Sequence, residues 1–367
     1  MNRRTMRAGT LVAAAGTAAG LLLAASPVVA DEGESDGEYK VLVVGETKGF
    51  RHSHIPHTIT ALIEAGEDRG FTVDVWDSRD ERTLTENPFS STENLQQYSS
   101  IVFDSPVDGT NANSPASASL LSPADVSALQ GYVRGGGGVL GLHAATDTMH
   151  NVPWYTAMMG GGAEFLGHPR QQEATMVVEN TGNLSVAHLP TEWTRYDEWY
   201  SYTVNPRENV NVLITLDEDT YEPGGLAMGD DHPLSWCQNF EGGRTWYEGA
   251  GHVDEAYSDP DFMEHILVGL EWTAGVIDDI GGGNCVTFRE VDGIVDGLSD
   301  GSPRAEKLSA QVADYLEAAQ EKADSGDHAA AIRTLTQARG KSHGLQDDVL
   351  AEKIDDLIEW QGVLAES

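Results

Sequence analysis

The chain has 367 residues, 40% of them hydrophobic, with 59 acidic against 22 basic side chains and a formal net charge of −37 at pH 7. That length and apolar content can bury a sizeable core and exclude a mostly disordered protein. The acid excess excludes phosphate-backbone binding to nucleic acid, which needs a basic surface to release counterions. It describes a solvated, self-repelling surface and, with lysine scarce, fits a salty medium or one containing calcium.

Residues 1–30 have the form of a secretory signal: Arg3, Arg4 and Arg7 with no acid, an apolar run from Leu11 to Ala25, then Val28 and Ala30 before a cleavage point at Asp31. The Arg3-Arg4 pair matches the twin-arginine signal only in part, which leaves the export route open. The expectation is a secreted protein starting at Asp31, with an acidic leader over 31–38. No other stretch approaches eighteen consecutive apolar residues, so no membrane span is expected after processing. In an oxidising compartment the two cysteines, Cys237 and Cys285, are expected to form one disulfide, a free reactive thiol at Cys237 being the alternative.

The run Lys40 to Gly45 (KVLVVG) is continuous and rich in Val, as expected of a strand buried on both faces. Thr58 to Gly70 has helical spacing through Ile59, Leu62 and Ile63 and stops at glycine. Phe71 to Trp76, Ser100 to Asp104 and Val139 to His143 read as further strands, and Ser122-Pro123 starts a helix running toward Gly135. This alternation predicts an α/β domain with a parallel sheet covered by helices on both faces. Gly135 to Gly138 precedes a strand and is therefore a turn, not a phosphate cradle. Beyond His150 the signals are mixed: strands at Glu173 to Glu179, Val210 to Leu216, Leu234 to Phe240 and Gly243 to Gly249, then a helix at Asp261 to Thr273 with Phe262, Ile266, Leu267 and Leu270 as its apolar stripe.

The α/β domain is thus bounded at 39–277. Gly281-Gly282-Gly283 signals a linker, which with a short helix occupies 278–301. Residues 302–367 read as a small all-α helical bundle, with Leu308, Val312, Leu316 and Ala319 at spacings of three and four. The bundle offers no catalytic constellation, so it is expected to be an accessory module that docks another protein or a glycan.

In open parallel sheets the ligand lies at the carboxyl ends of the strands. Histidines fall there: His52 and His54 after the first strand, His143 after the fourth, and His252 after Gly243 to Gly249. Gly141-x-His143-x-Ala145 has the frame of a nucleophile elbow, whose small flanking residues permit a strained backbone. A histidine at the tip suits a general base or a metal ligand, not acyl transfer. No HExxH spacing exists, so the ligands of any divalent metal have to converge from separate loops. His168 is presented by Leu166-Gly167-His168-Pro169. His52 and His54 have the alternative role of capping the first helix. Glu198 lies among Trp193, Tyr196, Trp199, Tyr200 and Tyr202, a cluster read as core and rim packing with sugar stacking as the alternative.

The segments KGFRHSH, GLHAATDT, FLGHP, YDEWY, PLSW and GRTWYEGAGH, in this order, resemble the ThuA-like family, named for trehalose utilisation, over Lys40 to Gly275. The resemblance implies a flavodoxin-like fold of the class I glutamine amidotransferase type without the amidotransferase cysteine. It places His143 at the elbow and His252 near the position of the amidotransferase histidine, so cysteine-dependent amidotransferase activity is not expected. It further implies action on a carbohydrate, including 3-keto-glycosides. A carbonyl at C3 acidifies the C2 proton, so a base can remove it, the C1 oxygen leaves, and water adds to the enone. His143, His252 and a carboxylate, Glu198 before Asp197 or Asp147, are the expected catalytic groups. His52, His54, Asp147, His168, Trp199 and Tyr200 are the expected substrate contacts. His143, His168 and His252 are the expected ligands if a divalent metal stabilises the enediolate. The competing reading is a non-catalytic secreted carbohydrate-binding or scaffold protein.

Overall fold

A computed structural model of the chain describes residues 39–110, 118–298 and 302–366. The expected signal (1–30) and acidic leader (31–38) lie outside the described residues. The first half follows the alternation of its sequence: β1 (Tyr39–Val44), α1 (Ile55–Arg69), β2 (Phe71–Trp76), α2 (Thr92–Leu95), β3 (Ser100–Asp104), α3 (Pro123–Arg134) and β4 (Gly138–Leu142). After α4 (Pro153–Gly160) come β5 (Phe165–Gly167), β6 (Gln172–Val178), β7 (Glu192–Asp197), β8 (Ser201–Tyr202), β9 (Asn211–Asp217), β10 (Pro233–Phe240), β11 (Gly243–Glu248) and α5 (Pro260–Thr273). The chain ends in α6 (Phe288–Gly297), α7 (Pro303–Asp324), α8 (His328–Ser342) and α9 (Asp348–Glu366).

The main sheet has nine strands in the order β2-β1-β3-β4-β11-β10-β9-β6-β7. From β2 through β11 every neighbouring pair is parallel. Successive residues of β1 feed opposite faces: Val41 and Val43 pack with Ile59 of α1 and Ile266 of α5, whereas Leu42 and Val44 pack with Leu129 of α3 and Tyr155 of α4. The parallel core covered by helices on both faces is therefore the expected one. The remaining half of the sheet is antiparallel, from β11/β10 through β9 and β6 to β7. Apolar periodicity carries no strand direction, and β11, the last strand in sequence, inserts beside β4.

The edge strand β7 alternates polar exposed and half-buried residues, so its sequence lacks the apolar run that marks the central strands. Gly135 ends α3, and Gly138 opens β4 where a Cβ would lie 1.9 Å from the Thr273 carbonyl. That glycine run is a turn and a close approach to α5.

Helices α6 to α9 bury a core of their own, with Val291, Val312, Leu316, Leu335, Ile354 and Trp360. The glycine-rich stretch before them is packed rather than free. Ile280 and Cys285 are buried in the sheet-side core, and Cys285 is bonded to Cys237 of β10. Gly281, Gly282 and Gly283 all have positive φ, and a Cβ on Gly282 would meet Asn180 Oδ1 at 2.3 Å. The glycines permit a tight left-handed turn there, and the described residues belong to one compact unit. Among the described residues no helix is long and apolar enough to cross a membrane.

Candidate functional site

Four loops meet at the carboxyl ends of the parallel strands. His52 lies between β1 and α1, His143 directly follows β4, Glu198 directly follows β7, and His252 follows β11. The elbow at His143 has the geometry its sequence anticipates. Its φ is +45°, and a Cβ on Gly141 would lie 2.2 Å from Met159 Sδ and 3.0 Å from the Ala145 methyl. Such a turn is costly for a non-glycine residue and persists only where neighbours fix it. Here the Tyr247 hydroxyl donates to the His143 carbonyl at 2.7 Å, and the ring packs on Tyr200 with centroids 4.2 Å apart.

The Nδ1–H of His143 donates to the Gly249 carbonyl at 2.9 Å, so in the neutral ring Nε2 is the nitrogen that keeps its lone pair. That atom lies 3.2 Å from His252 Nδ1 and 3.5 Å from Glu198 Oε2, and the last two atoms are 3.1 Å apart. The His52 ring stands edge-on to His143 and His252 at centroid distances of 4.8 and 5.1 Å, and its Nδ1 is buried without a hydrogen-bond partner among the described residues. One nitrogen or oxygen from each of His52, His143, Glu198 and His252 lies within 4.8 Å of the others. Among the described residues these four form the group able to share a metal ion.

Burial and the neighbouring imidazoles push His52 down to about 2. Burial would raise Glu198, but hydrogen bonds and charge from His143 and His252 outweigh it and hold the carboxyl below its usual range. The converse holds for His252: burial lowers it, and the bond to Glu198 carries it above the ordinary histidine value. Asp197 lies just outside this group. Its Oδ1 accepts the backbone amides of Glu198 and His252 at 2.8 and 2.9 Å, and its Oδ2 accepts that of Gly251 at 2.9 Å. Burial raises its carboxyl despite the charge of His143 and those three amides.

The other expected residues divide. His168 presents Nδ1 to the Pro169 carbonyl at 2.8 Å and to Glu198 Oε1 at 3.3 Å, on a side chain 39% exposed. It therefore sits behind Glu198, and His52 takes the place expected for it among the four converging ligand atoms. His54 is fully buried, with Nδ1 at Thr58 Oγ1 (3.1 Å), Nε2 at Ser105 Oγ (3.0 Å) and its ring stacked on Tyr257. It occupies the N-cap position of α1 but makes no side-chain cap bond; both nitrogens serve the packing beneath the site. Asp147 accepts from His150 Nε2 at 3.0 Å, and Glu164 lies 3.4 Å from the other nitrogen of that ring. Trp199 is 0% exposed and donates to the Gln172 carbonyl, so its face is closed to a sugar, and Tyr200 is packed between His143 and Phe165. The aromatic cluster is core, apart from Tyr196 on the edge strand. Sequence reasoning gave Asp197 no structural role; nothing in YDEWY distinguishes a carboxylate that binds backbone amides from one that meets a substrate.

The family model described as ThuA, trehalose utilisation, matches residues 40–273. Among solved structures, a ThuA-like protein from Bacteroides uniformis is 23% identical, aligns over 66% of this chain and 94% of its own length, and superposes with a TM-score of 0.52. A second ThuA-like protein, from Parabacteroides merdae, is 19% identical over 65% of this chain and 90% of its own, with a TM-score of 0.49. Among curated proteins none matches this chain.

Proposed function

The chain belongs to the ThuA, trehalose utilisation, family, and from that premise we propose that it is an enzyme acting on a carbohydrate, eliminating or hydrolysing a 3-keto-glycoside at the His143, His252, Glu198 centre. The observation that carries this reading is the convergence of three imidazoles and one carboxylate at the carboxyl ends of the strands, within 4.8 Å of one another. Trp199 and Tyr200, the aromatic side chains expected to contact a sugar, are buried and offer it no face.

In the reaction a base takes the C2 proton, and the C–H electrons pass into the C2–C3 bond as the C3 oxygen gains charge. The enediolate then expels the C1 oxygen, which leaves with a proton, and water adds to C1 of the enone. His252, whose protonated form Glu198 favours, is the member of the centre able to donate to the C3 oxygen as charge develops there. His168 is the group placed to move the proton: its Nδ1–H is engaged by the Pro169 carbonyl, so Nε2 carries the lone pair on a solvent-accessible side chain beside Glu198. Residues 1–30 further support an exported protein, a setting that suits the Cys237–Cys285 disulfide.

The test is NMR-monitored turnover of a panel of 3-keto-glucosides by the protein and by its His143→Ala variant. Turnover by the wild type that His143→Ala abolishes supports the reading. A folded wild type inert toward the whole panel, with and without added divalent metal, overturns it.

A further inference from the structure

We propose that His52, His143, His252 and Glu198 bind one divalent transition-metal ion of the zinc type. Metal–nitrogen and metal–oxygen bonds of roughly 2.0 to 2.2 Å in a tetrahedron place neighbouring ligand atoms about 3.4 Å apart. The three edges among His143 Nε2, His252 Nδ1 and Glu198 Oε2 are 3.2, 3.5 and 3.1 Å. One face of such a site therefore already stands in the protein.

The outer contacts agree. The Gly249 carbonyl takes the Nδ1 proton of His143 and so fixes the tautomer whose Nε2 is bare, and His168 Nδ1 reaches the oxygen of Glu198 that the histidine pair does not use. Asp197 holds the backbone of both Glu198 and His252.

A histidine–carboxylate network without metal accounts for His252 and Glu198 but not for His52. That ring is 3% exposed, has Nδ1 unpartnered, and is crowded edge-on against two further imidazoles. A buried polar atom without a partner is costly. A cation shared among the three rings and the carboxylate relieves that crowding. Three imidazoles and one carboxylate favour zinc, cobalt or nickel over magnesium or calcium, which prefer all-oxygen ligand sets.

The test uses the full chain, stripped with a chelator, dialysed and titrated with Co2+, with Zn2+ as competitor. The expected result is one ion per chain, visible ligand-field bands of four- or five-coordinate Co2+, and loss of those bands on adding Zn2+. His52→Ala and His143→Ala should each weaken binding more than tenfold, while His57→Ala, an exposed histidine outside the group, should leave it unchanged. His52→Asn, with circular dichroism on each variant, separates a lost ligand from a lost fold. Absence of Co2+ bands in the wild type, or equal affinity in the folded His52 and His143 variants, overturns the proposal. The readout needs no substrate, so it stands or falls independently of the keto-glycoside reading.

Discussion

Asp197 holds His252 through its backbone: one carboxylate oxygen accepts the amide of His252 at 2.9 Å while the other accepts that of Gly251 at the same distance. Because the first oxygen also takes the amide of Glu198, a single side chain fixes two members of the centre relative to each other. In Asp197→Asn one of these positions becomes an NH2 that faces an N–H donor. We expect a folded protein about 1 to 3 kcal/mol less stable in urea unfolding, with Co2+ affinity down roughly 10- to 100-fold, as for outer-shell partners of metal ligands. Unchanged stability and affinity would show that the clamp is dispensable.

Gly251 bears on the same residue from the neighbouring position. Its φ is +101°, and a Cβ there would lie 2.7 Å from the Tyr257 hydroxyl, which itself donates to the Gly251 carbonyl. Gly251→Ala therefore meets both a backbone penalty and a clash. The expected loss is about 1 to 3 kcal/mol, readable as a lower thermal midpoint, together with weaker Co2+ binding through a displaced His252.

The parallel half of the sheet was legible because β1, β3 and β4 are buried on both faces along their apolar runs, Val41 to Val44, Ile101 to Phe103 and Gly138 to Leu142. His143 was legible for a related reason, since a strand followed by small–x–His–x–small leaves few backbone paths. His52 and His54 show where such reading stops. Two residues apart in one loop, they have the same local pattern, yet one faces His143 and His252 while the other faces Thr58 and Ser105. That choice is made by β3 and β11, distant in sequence. The direction of β9, β10 and β6 is likewise a property of their pairing, to which hydrophobic alternation is blind.

Cys237 and Cys285 tie β10 to the turn before α6, closing a loop of 48 residues. Loop-closure entropy for that length corresponds to about 4 kcal/mol, and measured values for native disulfides usually fall between about 2 and 5. Replacing both cysteines by Ala should lower the urea midpoint accordingly. An unchanged midpoint, or two titratable thiols in the denatured wild type, would refute this account.

In the metal-free protein His52 and His54 should contribute a loss of stability that begins at a higher pH than any carboxylate contribution. Burial holds His52 down to about 2 and His54 well below its ordinary value, whereas in the unfolded chain both take up protons below about 6.5. The unfolded state then binds more protons, so stability falls as pH drops below that value, by at most roughly 1.4 kcal/mol per pH unit for each histidine. Glu198, held low in the fold, adds its own loss below about pH 4.5. His252, raised in the fold, works in the opposite sense: its contribution is full below about 6.5 and disappears as pH rises through its folded value. His150, also raised, and the buried Asp104 and Asp197, whose carboxyls burial raises, act in the same sense as His252, so the term is read as a difference: the urea midpoint of His52→Asn in chelator should decline less from pH 7 to 5 than that of the wild type, and an equal decline would contradict the assignment.

The sharpest separation of roles is between His168, which meets Glu198 directly, and His52, which packs against the His143–His252 pair. His168 reaches Glu198 Oε1 and remains solvent-accessible, whereas the His143–His252 pair meets Oε2 and His52 is buried beside that pair. If His168 moves the C2 proton, His168→Ala should reduce turnover of a 3-keto-glucoside by about 10²- to 10⁴-fold, the usual contribution of a general base. It should leave Co2+ bound, with affinity lowered by no more than the roughly tenfold expected for an outer contact. His52→Ala should lose the cation and the turnover together. The His168 variant should also lose the limb of the pH–rate profile that reports the base, and added imidazole should restore part of the rate. Retention of that limb would place the proton transfer on another group, and loss of the cation in His168→Ala would move His168 from the rim into the metal site.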